Sequence, residues 1–213
     1  MKLAWRSLAC CCALACALEA AAASFAAVVR TPAGKPVEDA AVVLDPVAGK
    51  VPPAKARTAI EQRDREFVPY LTIVQKGTAV DFPNRDKLKH HVYSFSPAKT
   101  FELKLYSGKP AAPVVFDKVG EVALGCNIHD WMEAHVLVVD TPWFAKTGAD
   151  GVARIERAPA GAYQLRLWHP RQKSAAAPQR IEVSASRPKP VELALDVAPR
   201  KLRPKPPADP GSY

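Results

Sequence analysis

Once its first 23 residues are set aside, this 213-residue chain has a single cysteine, Cys126, so no intramolecular disulfide is open to it. The other four, Cys10, Cys11, Cys12 and Cys16, all stand near the start. Long apolar runs are also scarce, and the one over residues 8–18 is too short to span a bilayer. With Lys2 and Arg6 before it and Ala21, Ala22 and Ala23 after it, that run has the layout of a secretory signal peptide over 1–23, cleaved before Ser24. A periplasmic protein with no transmembrane segment in its mature part is expected. Ala13-Leu14-Ala15-Cys16 offers the alternative of a lipoprotein anchor through Cys16, although Ala13 stands where such a motif prefers leucine. In an oxidising compartment a lone thiol is a liability unless something occupies it.

Helical periodicity is weak, while short runs rich in Val, Leu, Tyr and Phe recur between turn signals. That pattern predicts an all-β protein. Residues 26–30 and 40–44 flank Pro32-Ala33-Gly34-Lys35-Pro36 and read as a hairpin-like pair. Further strands are expected over 77–82, 91–95, 113–116, 121–124, 135–139, 151–155, 162–168, 179–183 and 191–197. Asp150-Gly151 and Pro159-Ala160-Gly161 supply turn chemistry at two of the strand entries. Two β modules fit the length.

The chain carries a formal net charge of +9. Much of the excess lies late, where Arg187, Lys189, Arg200, Lys201, Arg203 and Lys205 alternate with prolines, and residues 199–213 read as a solvated, disordered tail. Export argues against a nucleic-acid partner. Attraction to an acidic protein or an anionic surface remains available.

The loop Cys126-Asn127-Ile128-His129-Asp130-Trp131-Met132 sets a thiolate, an imidazole and a thioether three residues apart. Soft sulfur with imidazole selects copper, and two histidines, one cysteine and a weak axial methionine compose a type 1 copper site. The second imidazole is expected from His90, with His91 competing. Adjacent strand residues point to opposite faces, so one of the two faces the metal. A β-sandwich brings strand ends together across long sequence separations, which lets His90 meet the Cys126 loop. Such a site has every position filled, whereas a catalytic metal keeps one open. Electron transfer is therefore expected rather than enzymatic chemistry.

Residues 67–140 resemble a cupredoxin, of the amicyanin and plastocyanin type. The resemblance rests on Asn84-Arg85-Asp86-Lys87-Leu88-Lys89-His90-His91-Val92, on Phe116-Asp117-Lys118-Val119-Gly120-Glu121-Val122, and on Cys126-x-x-His129-x-x-Met132. It implies a Greek-key β-sandwich and one type 1 copper held by His90, Cys126, His129 and Met132. It also places His91 where the family usually has an asparagine bracing the ligand loop, a departure that would give the imidazole a bracing role. Asn84, Asp130 and Trp131 are further candidates for residues surrounding the ligands. Trp131 reads equally as part of an apolar docking patch or as a seal over the metal. Residues 28–44, 147–154 and 158–165 resemble a carboxypeptidase regulatory-like, transthyretin-like sandwich.

The expected layout is a signal peptide over 1–23, strands of the second sandwich over 24–60, the copper domain over 61–142, the rest of the second sandwich over 143–198, and the tail. The copper domain would be inserted into the second sandwich; a hairpin added to it is the simpler alternative. Proteins of this layout resemble methylamine-utilization proteins, which implies a quinoprotein dehydrogenase or a cytochrome as redox partner. Carriage or sensing of copper by the same ligands is the alternative function. A sandwich that has lost its metal is a third reading, which the full ligand set disfavours.

Overall fold

A computed structural model describes residues 22–54, 56–110, 112–184 and 189–200. The leader through residue 21, with Cys16, and the tail beyond 200 lie outside the described residues. The protein is all-β. Its strands run β1 (Ala22–Arg30), β2 (Ala41–Pro46), β3 (Arg57–Ala59), β4 (Glu61–Arg63), β5 (Glu66–Val68), β6 (Leu71–Gln75), β7 (Thr78–Asp81) and β8 (His90–Ser96). There follow β9 (Lys99–Tyr106), β10 (Val114–Phe116), β11 (Gly120–Gly125), β12 (Glu133–Val139), β13 (Phe144–Lys146), β14 (Val152–Pro159), β15 (Gly161–Trp168), β16 (Gln179–Val183) and β17 (Val191–Ala194). No helix among the described residues is long and apolar enough to cross a membrane.

Strand order divides the molecule. Sheets β14-β1-β17 and β13-β2-β15-β16 come from the two ends of the chain and enclose one core, with Phe25, Val29, Val42, Leu44, Ile155 and Leu165 among its members. Sheets β6-β12-β11-β8-β9 and β10-β7-β3 come from the middle and enclose a second core around Phe82, Val92, Phe116, Val122 and Val136. The small hairpin β4-β5 closes over that second core through Phe67. The chain thus leaves the first sandwich after β2 and returns to it with β13. Ala22 and Ala23 already pair with Pro159 and Ala158, so β1 begins just before the expected cleavage point.

Residues 26–30 and 40–44 are not a hairpin. β1 pairs with β14 and β17, while β2 pairs with β13 and β15 in the facing sheet, so the segment between them crosses the sandwich. The reason is visible in Ala40-Ala41-Val42-Val43-Leu44, an unbroken apolar run rather than an alternating one. Such a strand needs cover on both faces, and a two-stranded hairpin supplies none. Val42 and Leu44 point into the first core, whereas Ala41 and Val43 meet Leu71, Leu137 and Val139 in a third cluster that welds the two sandwiches together. Ile73, Phe144 and Trp168 pack at its margin. β12 mirrors β2: Ala134, Val136 and Val138 face the second core, while Leu137 and Val139 face the weld. Four sheets therefore stack in one pile. β3, β4, β5, β6, β9 and β13 were not anticipated from sequence, although Lys99–Tyr106 largely alternates polar with apolar as a half-covered strand should.

His169 follows Trp168 and is 1 % exposed. Burial, then the Arg171 cation, push its imidazole down from 6.5 to about 4, and its Nδ1 already accepts the Arg171 backbone N–H at 2.9 Å.

Two outcomes test this architecture. Leu137→Ala should cost about 2–5 kcal/mol in denaturant unfolding, as expected for a buried leucine whose cavity cannot collapse. Between about pH 6.5 and 4 the unfolded chain holds the His169 proton that the folded chain rejects, so stability should fall as pH drops through that window. His169→Gln should remove up to about 3 kcal/mol of that pH dependence, measured by unfolding at pH 7 and pH 4.

Candidate metal centre

Four structural elements meet at one end of the second sandwich. β8 begins with His90, the 126–132 loop joins β11 to β12, the segment 82–89 leads into β8, and the β4-β5 hairpin covers the side. Alternation along β8 sends His90, Val92 and Ser94 inward and His91, Tyr93 and Phe95 to the outer face. This settles the competition between neighbouring histidines. His90 joins Cys126 and His129 in a cluster whose ligand atoms all lie within 4.8 Å of one another. All three are buried, at 0 %, 4 % and 6 % exposure. Met132 is 2 % exposed in the same core, and its backbone N–H donates to the His129 carbonyl at 3.0 Å, which closes the loop into a tight turn.

The donor set fits a soft cation. Cys126 Sγ lies 4.0 Å from His129 Nδ1, and the two imidazole rings stand 4.9 Å apart. His90 Nε2 is 2.7 Å from Asp86 Oδ2, and because an ionised carboxylate can only accept, this nitrogen is the one that donates. His90 Nδ1 is then left with a lone pair, buried and without a hydrogen-bond partner. A buried polar atom with no partner is costly, and a metal ion between the three ligand atoms would satisfy it.

Local charges reinforce this. Burial pushes the Cys126 thiol up, but the His90 imidazole and the backbone N–H groups of His91, Ile128 and His129 outweigh it and bring the thiol below its ordinary value. Burial pushes His90 down, yet Cys126 and Asp86 outweigh it and lift the ring above its ordinary value. Each of the two groups thus favours the other's charged form, and a metal cation between them would favour the thiolate in the same way. His129 is lowered, first by burial and then by its neighbours His90 and Arg65, which favours the neutral ring that ligates a metal.

Around these ligands the sequence-derived assignments meet mixed outcomes. Asn84 is buried and holds the segment before His90, its Nδ2 donating to the carbonyls of Leu88 at 2.7 Å and Tyr106 at 3.0 Å. Its Oδ1 accepts the Asp86 N–H at 2.9 Å. His91 does not brace the ligand loop with its ring: Nε2 meets Glu102 at 2.9 Å on the outer face, because the strand's alternation turns it away from His90. Its backbone N–H is what serves the site, at the Cys126 sulfur. Trp131 is half-buried, its ring 5.0 Å from that of His129 and its Nε1–H donating to the Arg65 carbonyl at 3.1 Å. Asp130 is exposed at the turn.

Asp86, Gln62 and Tyr106 were missed. Gln62 is fully buried, its Nε2 donating to the Tyr106 hydroxyl, which itself donates to the Phe82 carbonyl at 2.6 Å. Burial raises the Tyr106 phenol to about 12, so it stays a neutral donor. A carboxylate four residues before a candidate ligand was a signal for Asp86; Gln62 and Tyr106 lie too far away in sequence to leave one. Gly125 has a different task. A Cβ there would stand 2.7 Å from the Tyr93 ring, so only glycine lets that ring lie across the strand just before Cys126.

One face of the site opens to solvent. His129 and Ile128 join Leu88, Leu105, Ser107, Lys87 and Lys89 around a cleft of about 470 Å³.

No protein-family model and no curated protein matches the sequence. Among solved structures, the chain is similar to a copper-containing nitrite reductase from Thermus scotoductus SA-01, at 20% identity and a TM-score of 0.37, covering 45% of this chain and 25% of that one. It thus spans about a quarter of the reductase. It is similar also to the reduced Cu(I) form of a P52G mutant of amicyanin (16% identity, TM-score 0.36, 46% of this chain and 98% of that one). A purple cupredoxin from Nitrosopumilus maritimus shows 20% identity, a TM-score of 0.35 and coverage of 38% of this chain and 99% of that one.

Asn84→Ala should leave the carbonyls of Leu88 and Tyr106 without their donor. The expected cost is about 1–3 kcal/mol in unfolding free energy, with a matching loss of metal affinity by competition titration.

Proposed function

We propose that the protein is a periplasmic type 1 copper protein of the cupredoxin kind, passing single electrons between redox partners. The observation that carries this reading is the buried convergence of His90, Cys126 and His129 with an orphaned imidazole nitrogen at its centre. Met132, buried in the same core, would offer its thioether as a further, weaker ligand. Copper held there would supply a one-electron couple between Cu(II) and Cu(I).

The chain's own residues do the rest. Asn84 and the Gln62–Tyr106 pair fix the framework under His90, so ligand positions change little when the charge of the site changes, which favours fast electron transfer. The Phe82, Phe116 and Val122 core keeps water from the inner side. His129 is the ligand that reaches the solvent cleft, and electrons enter and leave along its edge. Lys87 and Lys89 flank that cleft, so an acidic surface on a cytochrome or a quinoprotein dehydrogenase is the complementary partner. The first sandwich, welded to the copper unit through Leu71, Leu137 and Val139, acts as a scaffold that fixes the unit's orientation. Carriage of copper by the same ligands is the alternative, and it requires ready access for an exchanging chelator.

Copper titration of the full chain decides the matter. One Cu(II) per chain should bind with an intense visible thiolate-to-copper band. Cys126→Ser should abolish the band, and Met132→Leu should keep it while raising the potential. A band that persists in Cys126→Ser would sink the ligand assignment. Cu(II) binding without the band, together with Cu(I) that a chelator removes easily, would favour a carrier instead.

A further inference from the structure

Asp86 makes more contacts around the ligands than any role read from sequence required. Its Oδ2 accepts from His90 Nε2 at 2.7 Å and from the Arg65 backbone N–H at 2.9 Å, and its Oδ1 accepts the Asp64 N–H at 2.7 Å. Its own N–H is held by Asn84 Oδ1. The carboxylate therefore ties a metal-ligand imidazole to the tip of the β4-β5 hairpin.

That tip is unusual. Arg63 pairs with Glu66, which leaves Asp64 and Arg65 as a two-residue turn with φ of 54° and 58°. A turn of this kind favours Asn-Gly, because a side chain in the left-handed region crowds its own backbone. Here Asp64 suits its place but Arg65 stands where glycine is preferred, and the N–H groups of both end on the one carboxylate. Strain that surroundings hold in place marks a functional site more often than a casual loop. The same turn reaches the other histidine: the Arg65 carbonyl accepts from Trp131 Nε1, and its guanidinium lies 6.0 Å from the centre of the Trp131 ring, which borders His129.

We propose that Asp86 is the positioning residue of the copper site, fixing His90 as an Nδ1 ligand and biasing the copper couple toward its oxidised form. The proposal rests on the function assigned above and deepens it. A carboxylate accepting from the outer nitrogen fixes the tautomer and makes the imidazole a stronger electron donor, an effect worth about 10–100-fold in metal affinity in comparable triads. Added negative charge stabilises Cu(II) more than Cu(I), so the potential lies lower than four ligands of these types would set alone. A merely structural Asp86 would change stability and leave the ratio of the two affinities untouched.

The test uses the full chain loaded with copper. In Asp86→Asn the Cu(II) affinity should fall about tenfold further than the Cu(I) affinity, which for one electron raises the potential by about 59 mV. Asp117→Asn, which removes an exposed carboxylate paired with Lys99 ahead of β11, at the end of that strand away from Cys126, should leave the potential unchanged. Equal loss of both oxidation states in Asp86→Asn, or an equal rise in Asp117→Asn, overturns the proposal. If Asp86→Asn does not fold, nitrogen NMR of the wild-type Cu(I) protein reads the same point: His90 should carry its proton on Nε2, and a proton on Nδ1 overturns it. Failure of the copper reading looks different, since wild-type protein would then lack the blue band while the His90 tautomer could still be read without metal.

Discussion

Val136 and Val138 of β12 face the core beneath the His90, Cys126 and His129 cluster, and Leu137 and Val139 of the same strand face the other sandwich. A strand covered on both faces cannot shift by one residue without driving polar atoms into one core or the other. The loop Cys126–Met132 emerges directly from this strand's start, so two hydrophobic contacts lock the register of three proposed ligands. On the other side of the weld, Ala41 and Val43 of β2 obey the same constraint. Removing either face would leave a single sandwich with an exposed apolar sheet.

The site built on this base divides its labour between backbone and side chains. Backbone N–H groups of His91, from β8, and of Ile128 and His129, from the loop, surround the Cys126 sulfur. Side chains hold the imidazole: Asn84, Asp86 and the Arg65 turn come from separate elements and converge behind His90. Fixed dipoles of this kind cost nothing to reorganise when charge at the centre changes, and that is the physical requirement for rapid one-electron exchange. The cleft at His129 is the opposite case. It is open, apolar through Ile128, Leu88 and Leu105, and flanked by the ammonium groups of Lys87 and Lys89.

Local patterns made much of the site legible. Cys126, His129 and Met132 announce themselves because a tight loop keeps ligands within a few residues, and His90 stands out beside them as an imidazole at the head of a strand. Alternation excludes His91 only once the strand's inward face is known. Asp86 was within view, four residues before His90, but nothing local says which of the charged residues over 85–89 turns inward. Gln62 and Arg65 left no trace, since a hairpin more than twenty residues upstream can be recognised as part of the site only after it folds across it. β6 and β13 are short strands whose cover comes from distant chain segments, and short apolar runs of that kind are ambiguous in isolation.

What the sequence by itself determined was the all-β class, through short apolar runs and turn chemistry, and the soft donors Cys126, His129 and Met132 as candidates, through their spacing in one loop. Both are local properties. Tertiary structure alone decided that β1 and β2 lie in opposite sheets, that the weld of Leu71, Leu137 and Val139 joins the two sandwiches, and that His90 rather than His91 faces the thiolate. It also decided that a carboxylate stands behind that imidazole. Each of these depends on which distant strand supplies the second face, and a strand's own residues state only that a second face is needed.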